Sequence, residues 1–265
     1  MRVVSLQFHD VIASGDCDAS GFPGPGPASY KLDSREFERQ CGELRGISEA
    51  QPATVSEVLS SRRGRDSFLI TFDDGGISAC GPILSLLDRY AWKAHFFVAT
   101  DYIGKPGFLA KGQIKTLRER GHVVGSHSCS HPQRMSRQSW TEVREEWTAS
   151  VACLSDILGE KVTTASVPHG YYSRKVAEAA SLAGITALFT SEPVRAVHRV
   201  ATCEVFGRYV VRPGTDPALI ARLVRGQSWA WCKEFLFWNT KKIAKLVGGP
   251  AYLKLRAHVL HHSTR

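Results

Sequence analysis

The sequence predicts an α/β fold, an open (β/α) barrel of TIM type with about seven strands. Two observations carry this prediction. Short apolar runs of strand length alternate with helical patterns from residue 68 onward, and the connections between them are short. Polar side chains follow directly after several of these runs. Parallel strands end at one mouth of such a barrel, so this arrangement would gather the polar side chains there.

The elements before residue 68 are a strand, a loop and two short helices. The strand is predicted at 3–8, and a loop rich in glycine and proline at 13–30, which should contain neither helix nor central strand. The helices are predicted at 34–44 and 54–59. The later elements are strand 68–72, helix 82–90, strand 94–99, helix 113–120, strand 123–125, helix 139–158, strand 164–167, helix 175–183 and strand 186–189.

The charge distribution divides the chain into a barrel over residues 1–220 and a helical extension over 221–265. Residues 222–265 contain nine Lys or Arg against one acid, Glu234, and so carry +8 of the formal charge of +9. The extension is also rich in aromatic residues. It could pack on the barrel with its lysines in water, or contact an anionic membrane surface. No nucleic-acid motif accompanies the basic residues, so nucleic acid is not an expected partner.

The cysteines and the hydropathy favour a cytoplasmic protein, and peripheral contact at the inner face of the membrane through the extension stays an open alternative. Seven cysteines are scattered without a C-x-x-C pair, which is typical of free thiols in a reducing compartment. The first nine residues do not have the pattern of a signal peptide. No apolar run has the length of a transmembrane helix.

The apolar strand at 68–72 ends in two adjacent carboxylates, Asp73 and Asp74. Like charges this close raise each other's pKa unless a cation lies between them. The strand at 123–125 is followed by His127 and His131, and Pro132 argues against a helical His pair. Asp74, His127 and His131 therefore form a candidate N/O ligand set with an open position for water. Asp73 would remain free to act as a base.

Three motifs in order resemble the polysaccharide deacetylases of NodB type, carbohydrate esterase family 4. They are Thr71-Phe72-Asp73-Asp74-Gly75, His127-Ser128-Cys129-Ser130-His131 and Pro168-His169-Gly170. The resemblance implies a distorted (β/α) TIM-like barrel and metal-dependent removal of acetyl from N-acetylated sugars. It implies Asp74, His127 and His131 as ligands of one divalent metal ion, with Asp73 as the catalytic base. It also implies that the backbone N–H of His169, with Gly170 and Tyr171, contacts the oxyanion or the substrate. Zinc is the expected metal, and nickel, cobalt or iron would also suit these ligands.

Two departures from the family pattern concern the residues around the base and the acid. Ser166 stands where the family usually has an Arg that steadies the base, so that role is unassigned. The usual late acid motif matches only near the chain end, at His262. A branch of the family that includes deacetylases of exopolysaccharide systems places the acid His after the first strand. His9 fits that branch and is the predicted acid, with His198 and His262 as alternatives.

These features predict a metal-dependent sugar N-deacetylase of polysaccharide or glycoconjugate biosynthesis. A cytoplasmic enzyme would meet a nucleotide-linked or lipid-linked saccharide rather than a finished wall polymer. One alternative is an amidohydrolase of the same barrel family that acts on a non-sugar amide. The other is a carbohydrate-binding relative without catalysis, which the missing Arg at Ser166 would allow.

Overall fold

The computed structural model describes residues 1–13, 15–47, 51–61, 67–227, 229, 231, 232, 235 and 236. The strands are β1 Val4–Phe8, β2 Val11–Ile12, β3 Leu32–Asp33, β4 Gln51–Pro52, β5 Ser67–Phe72, β6 His95–Val98, β7 Val123–Ser126, β8 Thr164–Ser166, β9 Ala187–Phe189, β10 His198–Val200, β11 Cys203–Phe206 and β12 Tyr209–Val210. The helices are α1 Pro25–Ala28, α2 Ser34–Arg45, α3 Val55–Ser61, α4 Pro82–Arg89, α5 Lys111–Glu119, α6 Trp140–Leu158, α7 Arg174–Leu182 and α8 Pro217–Val224.

A curled parallel sheet confirms the predicted barrel-like α/β fold. Within the described part of the chain, eight strands run parallel in the order β11-β9-β8-β7-β6-β5-β1-β12. β10 adds to β11 as an antiparallel edge, and β4 lies beside the start of β5. All residues of β1, β6, β8 and β9 are buried. Strands covered on both faces are rich in apolar residues, which is why they could be recognised in the sequence, although β1 and β8 also bury the polar residues Ser5, Gln7, Thr164 and Ser166.

The two edges of this sheet are joined by one extended stretch near the end of the barrel. β11 pairs with β9, and only Gly207 and Arg208 separate it from β12, which pairs with β1. Arg208 therefore lies at the seam of the barrel, and its side chain is fully buried. A buried guanidinium needs a charged partner, and the partner lies in the candidate site.

Helix ends agree closely with the sequence signals. Ser139 caps α6 and forms a capping box with Glu142, and Gly159 ends the helix in the left-handed conformation. α8 spans the predicted domain boundary at residue 220. Four residues of this helix are buried in the main core: Ile220, Ala221, Leu223 and Val224. The core of the barrel therefore extends at least to Val224. Most of the predicted extension at 221–265 lies outside the described residues.

Two parts of the structure differ from the prediction. The loop at 13–30 contains one helical turn, α1, where Pro25 occupies the first helical position, at which its missing N–H costs nothing. Strands β2 to β4 and β10 to β12 were not predicted, because strands of two to four residues give no measurable period, and helix α8 was not predicted either. In the described residues, we find no helix with the length and hydrophobicity that a bilayer crossing requires.

Candidate active site

The site is built at the carboxyl end of β5, where the chain turns sharply. Asp74 has a φ of 76° and Gly75 a φ of 81°. A Cβ on the next residue, Gly76, would lie 1.9 Å from Asp10 Oδ1, so only glycine fits there. The described chain has six non-glycine residues with positive φ, and four of them lie in this mouth: Asp74, Ser128, His131 and His169. Backbone conformations of this kind concentrate at functional sites.

Asp74, His127 and His131 meet at this mouth as the sequence predicted. Their ligand atoms all lie within 4.8 Å of one another. Asp74 Oδ1 is 3.3 Å from His127 Nε2 and 3.4 Å from His131 Nε2. A carboxylate facing two imidazole nitrogens suits a divalent cation such as zinc, and one carboxylate with two imidazoles is a ligand set of hydrolytic metal sites. The three residues therefore fit a metal ion.

Ser166 fixes the orientation of His127. His127 Nδ1 lies 2.6 Å from Ser166 Oγ and 3.1 Å from the Ser166 carbonyl oxygen. Ser166 Oγ in turn donates to Asp73 Oδ1 at 3.0 Å. Because Ser166 Oγ donates its own proton to Asp73, it accepts a hydrogen bond from His127. The proton of a neutral His127 imidazole therefore lies on Nδ1, and the lone pair of Nε2 is directed toward Asp74. Hydrogen bonds of this type orient metal-binding histidines.

Arg208 supplies the guanidinium that the sequence left unassigned. Its Nη1 and Nη2 donate to the two oxygens of Asp73 at 2.7 and 2.8 Å. Its Nε donates to the Thr190 carbonyl oxygen, and Nη1 also reaches Thr71 Oγ1. The planar fork of an arginine matches a carboxylate in two parallel hydrogen bonds. Ser166 and Arg208 therefore contact the same carboxylate, and the positive charge beside that carboxylate comes from Arg208.

Asp73 is held by four hydrogen bonds, because Gln7 Nε2 also donates to its Oδ2 at 2.8 Å. Burial alone would raise the pKa of Asp73. The charge of Arg208, and after it that of His127, more than offsets burial, so the pKa of Asp73 lies below its usual range. The carboxylate is ionised and fixed, as a base must be.

His9 lies at the carboxyl end of β1 beside the predicted base. His9 and Asp73 line the same small cavity, together with Asp10, Gly75 and Gly76. Burial lowers the pKa of His9, and the carboxylates of Asp74 and Asp73 only partly oppose this effect. Among the described residues, His9 Nδ1 has no hydrogen-bond partner. Of the alternative acids, His198 lies on β10 and hydrogen-bonds Tyr172, and His262 is outside the described residues.

The loop after β8 contributes the residues predicted to contact the substrate. His169 has a φ of 55°, and its ring centroid is 4.4 Å from that of His131. Gly170 also has positive φ, and a Cβ there would lie 2.9 Å from Ser191 Cβ. Tyr171 lies under the guanidinium of Arg134. The structure thus brings His169 against a metal-ligand candidate and Tyr171 to the rim.

Asp10, next to His9, is a buried carboxyl that no cationic side chain of the described residues contacts. It is 2% exposed, and its Oδ1 accepts hydrogen bonds from Ser20 and Ser78. Burial raises the pKa of Asp10 from 3.8 to about 6, against the effect of the two serine hydroxyls. The folded state therefore holds this proton more tightly than the unfolded state does.

We expect Asp10→Asn to change the pH dependence of stability. Between pH 4 and pH 6 the folded wild type keeps a proton on Asp10 that the unfolded chain has lost, so its stability falls as pH rises. The full cost, about 3 kcal/mol, is present above pH 6 and absent from the variant. Urea unfolding of the metal-free wild type and the metal-free Asp10→Asn variant from pH 4 to pH 8 measures this cost. Parallel curves for the two proteins would contradict the burial of an ionised Asp10.

Comparison with known proteins identifies the domain that carries this site. Residues 60–188 match the family model described as polysaccharide deacetylase. Peptidoglycan-N-acetylglucosamine deacetylase PgdA of Listeria monocytogenes is 38% identical over 158 residues, which are 59% of this chain and 32% of that protein. Chitooligosaccharide deacetylase of Rhizobium leguminosarum is 27% identical over 144 residues, 53% of this chain and 62% of that protein. The chain thus spans about a third of the length of the Listeria relative.

A solved structure agrees with the fold. Streptococcus pyogenes deacetylase PplD, determined in complex with acetate, superposes with a TM-score of 0.68 and covers 82% of this chain and 96% of that one, at 18% identity. At that identity the likeness concerns the fold. The family model matches the stretch that contains Asp73, Asp74, His127 and His131. We conclude that residues 60–188 form a polysaccharide deacetylase domain, in agreement with the predicted resemblance to the NodB-type deacetylases of carbohydrate esterase family 4.

Proposed function

We propose that this protein is a metal-dependent N-deacetylase that removes acetyl from an N-acetylated sugar during polysaccharide or glycoconjugate biosynthesis. One observation carries the proposal. Three residues that could hold a metal ion lie beside a carboxylate that a buried arginine holds ionised, with Asp73 Oδ2 4.0 Å from His127 Nε2. The Listeria and Rhizobium relatives are named as deacetylases of N-acetylglucosamine-containing peptidoglycan and of chitooligosaccharides, which supports the sugar substrate.

Asp74, His127 and His131 would hold the metal ion. A divalent ion there would polarise the amide carbonyl and lower the pKa of a water molecule. Asp73 takes the proton of the attacking water through Oδ2, the oxygen nearer to His127 Nε2. Its four hydrogen bonds occupy all the lone pairs of a carboxylate. Gln7 provides the one neutral hydrogen bond to Oδ2, so the attacking water replaces that amide.

His9 donates a proton to the departing amine, because an amide anion is too basic to leave. Since burial lowers the pKa of His9, its proton has to be supplied during the reaction. Asp73 gains a proton from water and lines the same cavity, so it is the source that the geometry offers. The backbone N–H of His169 would donate to the oxyanion that forms when the carbonyl is attacked.

Release of acetate tests the function directly. The purified chain is incubated with N-acetylglucosamine oligomers and with lipid-linked N-acetylated saccharides, and acetate is measured before and after treatment with a chelator. We expect acetate release that stops on chelation and returns when Zn²⁺, Co²⁺ or Ni²⁺ is added.

Two other results would replace this function. Hydrolysis of ring amides alone would assign the chain to the non-sugar amidohydrolases. Sugar binding by calorimetry without hydrolysis or metal uptake would assign it to carbohydrate-binding relatives. The Ser at position 166, where the family usually has an Arg, favoured a carbohydrate-binding relative without catalysis. Arg208 forms the ion pair with Asp73 instead, so Ser166 no longer supports that alternative.

We expect His9→Gln to lower kcat for acetate release by about 10²- to 10⁴-fold, the usual range for loss of a general acid. Metal content should not change, because His9 is not among the three clustered ligand candidates. His198→Gln is the matched control, since His198 is exposed and contacts Tyr172. A large loss in His198→Gln with a near-normal His9→Gln would move the acid to His198.

We also propose a lipid-linked or nucleotide-linked saccharide as the substrate, met in the cytoplasm at the inner face of the membrane. The basic charge of residues 222–265 supports this proposal, since anionic lipids attract such segments. Sedimentation of the full chain with lipid vesicles tests the membrane contact. Binding to vesicles with phosphatidylglycerol but not to pure phosphatidylcholine is the expected result. Equal binding to both would show that the basic charge does not direct the contact, and binding to neither would exclude the membrane contact.

A further inference from the structure

A segment rich in glycine and proline, residues 15–31, crosses the mouth of the barrel. We call it the strap. Its end is tied by Lys31, which is 3% exposed and donates from Nζ to the carbonyl oxygens of Cys17, Ser20 and Phe22 at 2.5, 2.6 and 2.7 Å. These three hydrogen bonds use every donor of the ammonium group. The backbone on both sides of Phe22 is therefore held in one conformation.

The strap is also tied to the barrel rim. Ser20 Oγ donates to Asp10 Oδ1 at 2.6 Å and accepts from the backbone N–H of Ser78 at 2.9 Å. Gly21 N donates to the Gly107 carbonyl oxygen at 2.8 Å. These bonds lie immediately before Phe22 in the chain, so they fix where its ring can reach.

The ring of Phe22 lies on the imidazole of His131. The two centroids are 4.5 Å apart and the planes differ by 20°. Tyr102 and Phe108 pack edge-on against Phe22 at 4.6 and 5.0 Å, so the phenyl ring is itself held in place. His169 contacts His131 as well, at 4.4 Å. Ring packing therefore surrounds one candidate metal ligand.

The two histidine ligands are held by different means. His127 is oriented through Nδ1, by Ser166. In the described residues, no hydrogen bond reaches Nδ1 of His131, and its only fixed polar contact from the ring is Nε2 with Asp74. A metal-binding histidine normally needs a partner that sets the plane of its ring. At His131 the stacked phenyl ring is the group in position to do this.

We propose that Phe22 is a positioning residue that sets the plane of the His131 imidazole for metal binding, through a strap locked by Lys31. The proposal rests on the metal site of the proposed function. It predicts that a planar ring at position 22, rather than apolar volume alone, is needed for full metal affinity. Phe22 would act without touching the metal or the substrate.

The test compares Phe22→Met, which keeps apolar volume, with Phe22→Tyr, which keeps the ring. Pro25→Ala, an exposed change elsewhere in the strap, is the control. Metal-free protein is titrated with Zn²⁺ against a chelator of known affinity, and the visible absorption spectrum of the Co²⁺-loaded protein is recorded. Circular dichroism establishes that each variant is folded.

We expect Phe22→Met to weaken Zn²⁺ binding about tenfold, at the lower end of the usual effect of partners of ligands. Its Co²⁺ spectrum should differ from that of wild type, while Phe22→Tyr and Pro25→Ala should match wild type in both measurements. Wild-type affinity and spectrum in Phe22→Met would overturn the proposal. An equal loss in folded Phe22→Tyr would overturn it too. Failure of the wild type to bind any of these metals would instead overturn the proposed function.

Discussion

Arg208→Met should remove most of the acetate-releasing activity and lower the free energy of unfolding by about 3–5 kcal/mol, the usual cost of deleting one member of a buried ion pair. Arg208 is fully buried and forms a two-pronged ion pair with Asp73. Methionine would leave the Asp73 carboxylate in an apolar environment with hydrogen bonds only from Gln7 and Ser166. Its pKa would then rise, and the base would no longer be held in position.

Two further variants separate charge from geometry in this pair. Arg208→Lys keeps the positive charge but offers one nitrogen instead of a planar fork, so it should recover part of the stability and less of the activity. Ser166→Ala removes the hydrogen bonds of Ser166 Oγ to Asp73 and to His127 Nδ1, and should cost about 1–3 kcal/mol for the two together. Urea unfolding and kcat for acetate release are measured for all three. An Arg208→Met protein with wild-type kcat would show that the pair serves stability alone.

The sequence could not assign a partner to Asp73 because that partner is 135 residues away in the chain. Motifs describe residues at fixed spacings, whereas Arg208 reaches the site only because β11 and β12 carry the chain across the barrel seam. One signal was nevertheless present. Arg208 interrupts an apolar run from Val205 to Val211. A charged residue inside a run of strand length must be paired when the strand is buried, and Asp73 needed a partner.

The parts that were predictable are those that local physics decides. Buried parallel strands are rich in apolar residues, and the loops at their carboxyl ends converge on one mouth, so Asp74, His127 and His131 could be grouped before any geometry was known. The contact of Phe22 with His131 has no such local signal. It depends on where Lys31 and Asp10 fix the strap, and a loop rich in glycine and proline does not encode its own path.

Asp73→Asn and Asp74→Asn should separate the base from the metal ligand. In Asp73→Asn we expect metal content close to wild type, since Asp74, His127 and His131 remain. Its kcat should fall by at least about 10³-fold, because an amide cannot accept the proton of water. In Asp74→Asn we expect loss of metal affinity itself, because a neutral amide replaces the anionic ligand that faces both imidazoles.

Stability has to be measured beside activity, because the two substitutions disturb different neighbours. Asp73→Asn leaves the Arg208 guanidinium buried without a counter-charge, so it should be strongly destabilising, by about 3–5 kcal/mol. Assays therefore belong at a temperature where circular dichroism shows this variant folded. A folded, metal-loaded Asp73→Asn that releases acetate at the wild-type rate would exclude Asp73 as the base. Because Arg208 would then have no catalytic carboxylate to hold, that result would also reduce the seam arginine to a purely structural role.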